Sequence, residues 1–495
     1  MKHTYKNPVF FVSAIVILSL VVIGAVLPKQ FGNVSEKLFN FTTNNFGWFY
    51  LLAVFIFIIF LVTMSFGKHG KTRLGPSDSR PEYPFFTWIG MLFSTGFGSG
   101  LVFWGVAEPM SHFFETPFPG LEAQTADSAR VAMGYAFFHW GISQWSVFAV
   151  VGLIIAYLQF KKAKGGLIST AIEPVVGKNQ AVGKTIDSLA VIATVMGVAT
   201  SLGLGIMQMN GGLKTLFNVP NSIWVQIAIA GVMLLIYLSS SSTGLNRGMK
   251  WLSNLNLGLC FLLLLFVFIS GPTVFILESF VLGLGDYFTN FVQYSLRMTP
   301  YKGDSWVRDW TIFYWAWAIA WSPFVGAFVA RVSRGRTIRE FIVGVLVVPP
   351  AIACVWIAVF GGTALYSDLN NGTSIAEAVN EDMAVALFQT FGNLPMTNIL
   401  SVFAILLIFT FLVTSADSAT YILGSMTSRG SLNPKLVVKI IWGILITAIA
   451  VVLLMAGGLG ALQTASLISA LPFTVILLLM VVSFLRMIKK DTEEK

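Results

Sequence analysis

Apolar runs recur along the chain at 10–27, 46–66, 86–110, 130–160, 185–213, 222–240, 251–270, 308–330, 341–365, 396–427, 439–457 and 465–485. A hydrocarbon core about 30 Å thick takes about 20 helical residues to cross, so the pattern predicts an all-α polytopic membrane protein with 12 transmembrane helices. The first run follows Lys2 and Lys6 but is long and lacks a small-residue cleavage site, so it reads as a span rather than a leader. The stretch 272–300 is apolar yet interrupted by Glu278, Gly283, Gly285 and Asp286. That mixture reads as an amphipathic helix lying along the outer interface.

Charge between the runs sets the expected orientation. Every second connection is basic: Lys68, Lys71, Arg73 and Arg80; Lys161, Lys162 and Lys164; Arg247 and Lys250; Arg331, Arg334, Arg336 and Arg339; Arg429, Lys435 and Lys439. The alternate connections hold most acids, among them Glu115, Glu122, Asp127, Asp304, Asp368 and Glu381. Short basic loops stay inside, so both termini are expected in the cytoplasm. The organisation expected is two N-terminal helices and a loop (1–80), a five-helix unit (81–271), the interfacial connection (272–305), a second five-helix unit (306–488) and a short cytoplasmic tail (489–495).

Composition narrows the class further. Of 495 residues, 56% are hydrophobic and 11% charged, against about 25% charged in soluble proteins; mean hydropathy is +0.79. These values exclude a disordered, cytosolic or nucleic-acid-binding protein, and the net charge of +9 is an inside-facing rim. Cys260 and Cys354 both lie in apolar stretches, which argues against a disulfide framework or a cysteine metal site. No paired carboxylates, nucleophile with base, or phosphate loop shares a span, so neither an enzyme nor a cofactor is expected. An ion channel would need rings of charge or carbonyls at a constriction, and aromatic residues stand there instead.

Four spans carry unusual residues. In the third, Gly96, Gly98 and Gly100 alternate, each costing about 0.8–1 kcal/mol against Ala in a helix. Unwinding there would free amides and carbonyls; the same glycines would equally serve close helix packing. The eighth places Trp315, Trp317 and Trp321 too deep for an interfacial belt, and Trp317, Trp321, Phe324 and Phe328 form one helical stripe around Pro323. Such a stripe suits packing as well as binding. In the fourth, 100° per residue puts Trp140, Trp145 and Phe148 on one arc with Gln144 inside it. His139 lies off that arc's centre, with no Cys, carboxylate or second His at ligand spacing, and reads as structural. The tenth contains Thr414, Ser415 and Asp417. An intramembrane carboxylate is a functional candidate by default, though Asp417 near the span's end reads as a brace. Hydroxyls beside freed carbonyls suit a small hard cation.

The third and eighth spans each begin a set of five, and an odd number makes the two sets opposite in orientation. Interrupted segments in corresponding positions of two such halves mark a transporter's binding site. Deep aromatics suit a delocalised, poorly hydrated cation such as a quaternary ammonium.

The stretch 308–341, the glycine run ending Gly-Val-Ala-Glu-Pro, the His-Trp-Gly stretch and the Thr-Ser-Ala-Asp-Ser stretch together resemble the motifs of the betaine/carnitine/choline transporter (BCCT) family over essentially the whole chain. The resemblance implies a leucine-transporter-like 5+5 inverted repeat (spans 3–7 and 8–12) behind two extra helices, commonly a homotrimer in the cell membrane. It places the aromatic box on Trp140, Trp145, Phe148 and Ala318, where betaine carriers usually have Tyr and Trp at the last two, with Ser143 where His is common and Gln144 after it. Trp317 and Trp321 fall along the permeation path and Phe103 on a gating aromatic. One sodium site falls on the carbonyls of Ser94, Phe97 and Phe411 and the hydroxyls of Thr414 and Ser415. A second matches Thr194 and Phe324 but has Val198 where sodium-coupled members carry Thr. The expected function is sodium symport of glycine betaine or a related zwitterionic osmolyte, for osmoprotection. The alternatives are a sodium-independent exchanger and a choline- or carnitine-type carrier. No acidic side chain lies in 94–104, 140–148 or 315–328; amides around Gly96, Gly98 and Gly100 could receive a carboxylate, so zwitterions are expected to outcompete choline.

Overall fold

The computed structural model describes residues 7–96, 98–243, 246–301, 303–431 and 433–493, without the side chains of 93–96, 241–243, 246–250 and 492. Among the described residues the chain is helical throughout, with one isolated bridge between Arg73 and Thr337. The N-terminal pair is α1 (Pro8–Val26), whose first turn is capped by the Asn7 side chain, and α2 (Pro28–Phe66). Next come α3 (Phe85–Gly96), α4 (Ser99–Phe114), α5 (Ala126–Trp140), α6 (Ile142–Ala156), α7 (Ile168–Val176) and α8 (Gln180–Phe217). They are followed by α9 (Ile223–Thr243), α10 (Asn246–Ser270) and α11 (Thr273–Ser295). The remainder is α12 (Phe313–Val332), α13 (Ile338–Asn371), α14 (Ile375–Glu381), α15 (Ala386–Phe391), α16 (Thr397–Thr427) and α17 (Leu436–Glu493).

Among the described residues ten helical stretches are long and apolar enough to cross a membrane. Of the twelve apolar runs expected as spans, the third and the last two do not appear as separate unbroken helices. The third run is split into pieces of 12 and 16 residues, each shorter than a bilayer requires. The last two runs form the 58-residue α17, about 87 Å if straight, which turns at Gly457 and Gly458. Gly458 has φ +57° and ψ −130°, a conformation that only glycine adopts easily.

Burial sorts the helices into a centre and a rim. α8 and the α5–α6 stretch are buried nearly all round, whereas α1, α9 and α10 bury less than a third of their apolar windows. A helix apolar on all sides belongs inside a core or against lipid. Within the central group, α4, α5, α6 and α12 carry Trp104, Trp140, Trp145, Trp315, Trp317 and Trp321 around α8; α13 closes on it through small residues. Gly361 lets α13 approach Pro109, where a Cβ would meet the ring at 2.7 Å.

The interfacial segment is the continuous helix α11, with Val274, Leu277, Val281, Phe288 and Val292 exposed on one side. Its other side is fastened to the core. Arg130 on α5 donates twice to Asp286, both at 2.7 Å, and the Ile142 amide donates to the Tyr287 hydroxyl at 2.9 Å. That second contact falls where α5 stops and α6 starts, at Gly141 (φ −84°, ψ −150°). The fourth span is thus interrupted, and the single arc expected for Trp140, Gln144, Trp145 and Phe148 does not form: Trp140 ends one helix and the other three begin the next. The tyrosine hydroxyl supplies the acceptor that the first amide of α6 lacks.

A Cβ on Gly141 would lie 2.3 Å from the Tyr287 hydroxyl and 2.6 Å from the Phe137 carbonyl. Gly141→Ala should destabilise the protein by about 1–3 kcal/mol, the usual cost of overpacking. Thermal unfolding in detergent checks this: a midpoint below that of the parent is expected, and an unchanged midpoint would contradict the contact.

Candidate functional site

The break between α3 and α4 is the centre of the site. α3 ends at Gly96, Gly98 is extended (φ −145°, ψ 173°), and α4 starts at Ser99 with no side-chain cap. The first turn of a helix leaves amides without intrahelical partners, and here they point from the start of α4. Irregular backbone at membrane depth persists only against protein or a cavity. Three indoles provide the protein. A Cβ at Gly100 would sit 2.5 Å from Cη2 of Trp317 and 3.5 Å from Cη2 of Trp140, and one at Gly98 would sit 3.9 Å from Cη2 of Trp321. Gly96 lies in the last turn of α3.

α12 displays its aromatics in two layers one turn apart. Trp317 and Trp321 stack at 6.3 Å with 22° between planes, and Trp321 continues to Phe324 at 5.8 Å. Trp140 meets Trp317 edge-on at 6.1 Å. Phe148 meets Trp321 at 5.9 Å and Trp145 at 5.2 Å. Ala318 is buried on the same helix. Phe328, the last member of the expected stripe, is 39% exposed and takes no part. Trp315 turns away towards Phe138 and His139. Gly197 on α8 admits α12: its carbonyl accepts from Trp317 Nε1 at 3.4 Å, and a Cβ there would reach the Trp321 amide at 2.9 Å.

Two polar groups in the first turn of α6 have no partner. Gln144 Oε1 and Ser143 Oγ are buried without a hydrogen bond, although buried polar atoms are usually paired. They are free acceptors at the start of α6. Phe103 packs on Trp104 at 4.8 Å, and Trp104 in turn touches Trp310, Phe313 and Tyr314. Beyond that layer lies a cavity of about 740 Å³, lined by Trp104, Ser111, Glu115, Trp306, Asp309 and Trp310 and closed by Lys29, Glu36 and the bend of α17. The large cavity is therefore a vestibule beside the aromatic cluster, not the space between its rings.

The expected cation ligands are partly placed. Thr414 Oγ1 donates to the Phe411 carbonyl at 3.0 Å, so both oxygens lie on one side of α16. Asn256 Nδ2 donates to the same hydroxyl at 3.3 Å, and Ser415 follows, half-buried. Phe97 lies outside the described residues, as does the side chain of Ser94 in the last turn of α3. At the second set, Thr194 Oγ1 donates to the Ala190 carbonyl at 2.8 Å, Val198 is buried, and Phe324 follows Pro323 inside α12.

Sequence reasoning missed the most connected group of all. Glu108 on α4 is fully buried and within reach of His139 Nδ1 at 2.6 Å, Tyr314 at 2.5 Å, Trp140 Nε1 at 2.9 Å and His112 Nε2 at 3.3 Å. His139 Nε2 pairs with Thr311 Oγ1 at 2.9 Å. His139 has both ring nitrogens bonded, as expected of a structural histidine; no carboxylate or second histidine stands at ligand spacing along its span, yet the fold brings both Glu108 and His112 to it. Both partners come from α4, across the bundle, where spacing along one span could not show them. A carboxylate inside an apolar run with His four residues on was the available signal.

A helical membrane protein with a broken span, an inward aromatic wall and a vestibule has the build of a solute carrier. The family profile described as "BCCT, betaine/carnitine/choline family transporter" matches residues 8–493, and the chain belongs to that family. It is 74% identical over 493 residues to an ectoine/hydroxyectoine transporter of Virgibacillus pantothenticus, covering 100% of this chain and 98% of the relative. It is 45% identical over 498 residues to the glycine betaine transporter OpuD of Bacillus subtilis (strain 168), covering 100% and 96%. Identity to the osmo-dependent choline transporter BetT2 of Acinetobacter baylyi is 34% over 498 residues, covering 99% and 72%. These relatives are transporters, not enzymes.

The two glycines of the break make opposite demands. A side chain at Gly100 must displace Trp317, whereas one at Gly98 meets only ordinary contact in extended backbone. Gly100→Val is expected to lower solute uptake per inserted protein by at least about tenfold, equivalent to about 1.4 kcal/mol. Gly98→Ala should retain most uptake. Equal uptake by Gly100→Val and the parent would contradict the placement of Trp317.

Proposed function

We propose that this chain imports a zwitterionic compatible solute by sodium symport, with ectoine or hydroxyectoine as the preferred substrate. The observation that carries the reading is the wall of indoles at the broken span, with Gln144 Oε1 an unpartnered buried acceptor one turn before Phe148 on the same helix. A quaternary ammonium is recognised by ring faces and has no N–H to donate. The cyclic amidinium of ectoine is planar and delocalised, stacks on the same rings, and carries N–H groups that such an acceptor would satisfy. The 74% identity to a protein named as an ectoine/hydroxyectoine transporter supports the same choice. Phe148 and Ala318, standing where betaine carriers usually have Tyr and Trp, leave room for a ring. The carboxylate would meet the free amides at the start of α4. Glycine betaine is the second reading, supported by the 45% relative named for it and by the rings alone.

Sodium would bind at the Phe411 carbonyl with the Thr414 and Ser415 hydroxyls, all hard oxygen ligands. Across the membrane, one charge gains about 2.3 kcal/mol per 100 mV, enough to drive accumulation. The second set lacks a hydroxyl at Val198, which favours a single sodium. In this reading the basic connections and both termini face the cytoplasm, the vestibule faces outwards, and the protein works in the cell membrane during osmotic stress as a homotrimer.

Uptake of labelled ectoine into proteoliposomes, with ectoine, glycine betaine, choline, carnitine and proline as competitors, tests the substrate. Ectoine should compete best, betaine next and choline least; displacement by choline at equal or lower concentration would overturn the choice. Trp140→Leu and Trp145→Leu should each weaken binding at least about tenfold, since a dry cation–π contact contributes about 2 kcal/mol. Unchanged affinity in both would reject the box.

The coupling ion is tested separately. Thr414→Ala and Ser415→Ala should each remove sodium stimulation while the protein still reaches the membrane, because each deletes an oxygen without adding bulk. A double alanine variant that kept its sodium response would place the cation elsewhere.

A further inference from the structure

Glu108 is a carboxylate at membrane depth with no basic side chain from Lys or Arg against it, and such a residue is a functional candidate by default. Its surroundings say what it does. A carboxylate offers about four acceptor sites on two oxygens. Oε2 receives Trp140 Nε1–H at 2.9 Å and the Tyr314 hydroxyl at 2.5 Å. Oε1 faces His139 Nδ1 at 2.6 Å and His112 Nε2 at 3.3 Å. With Nδ1–H directed at Glu108, His139 Nε2 is left to accept from the Thr311 hydroxyl at 2.9 Å. The four donors come from three helices: His112 from α4 itself, His139 and Trp140 from the end of α5, Tyr314 from α12.

Two members of this group also touch the candidate pocket, Tyr314 at 6.3 Å from Trp317 and Trp140 at 6.1 Å, and Trp140 alone of the two lies against Gly100 as well. An indole has one donor, at one edge of the ring. Fixing that N–H at 2.9 Å fixes the ring's position next to Trp317 and over Gly100. Trp140 is also the last residue before the Gly141 break, where helical hydrogen bonding no longer restrains the chain.

We propose that Glu108 is the positioning residue of the substrate pocket: its carboxylate orients Trp140 for cation–π contact with the solute, and the two histidines and Tyr314 hold the carboxylate in place. The proposal rests on the aromatic-box reading above and adds a residue that does not itself touch substrate. A hydrogen bond to a charged group is worth about 1.5–3 kcal/mol, so its loss should be felt as about a tenfold or larger change in affinity.

A double-mutant cycle between Glu108 and Trp140 tests it, read as KM for ectoine and for glycine betaine in proteoliposomes, normalised to inserted protein. Glu108→Met keeps side-chain length and removes both oxygens; Trp140→Phe keeps a ring and removes the N–H. Each should raise KM, Glu108→Met by about tenfold or more, and the double variant should be no worse than the more damaged single. Glu108→Gln, which retains one oxygen, should recover part of the affinity lost in Glu108→Met. Effects that multiply in the double variant, or an unchanged KM in Glu108→Met, would overturn the proposal. Should Glu108→Met fail to reach the membrane, the cycle is read with Glu108→Gln, where a multiplicative effect or none overturns it equally. Failure of the box reading is distinguishable, since Trp140→Leu would then leave affinity unchanged; a weakened Trp140→Leu with a multiplicative cycle removes only the role of Glu108.

Discussion

Backbone polar groups inside a membrane must be satisfied by protein, because lipid offers nothing in return. The places where this chain abandons helical hydrogen bonding are therefore expensive, and each is covered by protein or borders a cavity. At Gly141 the neighbour is the Tyr287 hydroxyl, brought in by the distant helix α11. At the break between α3 and α4 the neighbours are the edges of Trp317, Trp140 and Trp321. The bend of α17 at Gly457 borders the vestibule. The proposed solute site lies at an interruption because the same loosened backbone that needs covering is backbone that can grip a ligand.

The wall around the break consists of aromatic rings, with no acidic side chain among Trp140, Trp145, Phe148, Trp317 and Trp321 or their immediate chain neighbours. Such a wall attracts a cation through ring faces, an effect that grows when water is excluded. The carboxylate nearest to it, Glu108, is taken up by Trp140, Tyr314, His139 and His112, so a fully charged cation finds no free counter-ion at the ring faces. A zwitterion brings its own compensating charge, and the start of α4 has amides to meet it. Glu108, one shell further out, acts on this surface through the rings that it holds.

Much of the helical plan was legible from apolar runs alone, since an all-round apolar stretch of about 20 residues has few other uses. The break at Gly98 was legible too, because alternating glycines cost helix stability wherever they occur. The break at Gly141 was not. One glycine in an apolar run is common, and what interrupts the helix there is a tyrosine from a distant segment. An angular argument that assumed continuous helix through Trp140 and Phe148 failed for that reason. Glu108 escaped for a related one: the intramembrane-carboxylate rule was applied to Asp417 and not to it, and its partners His139 and Tyr314 join it only across helices. The sodium carbonyls at Ser94 and Phe97 came from family resemblance, and no pattern in the chain could have placed them.

The most direct measurement is a cryo-electron-microscopy structure in a lipid nanodisc with sodium and ectoine. Density for the solute is expected between Trp140, Trp317 and Trp321, its ring within about 6 Å of an indole face and its carboxylate at the amides that begin α4. Solute density confined to the vestibule lined by Trp306, Trp310 and Asp309, with the indoles closed on Gly98 and Gly100 as they are without ligand, would contradict the central claim that the broken helix and its aromatic wall form the binding site.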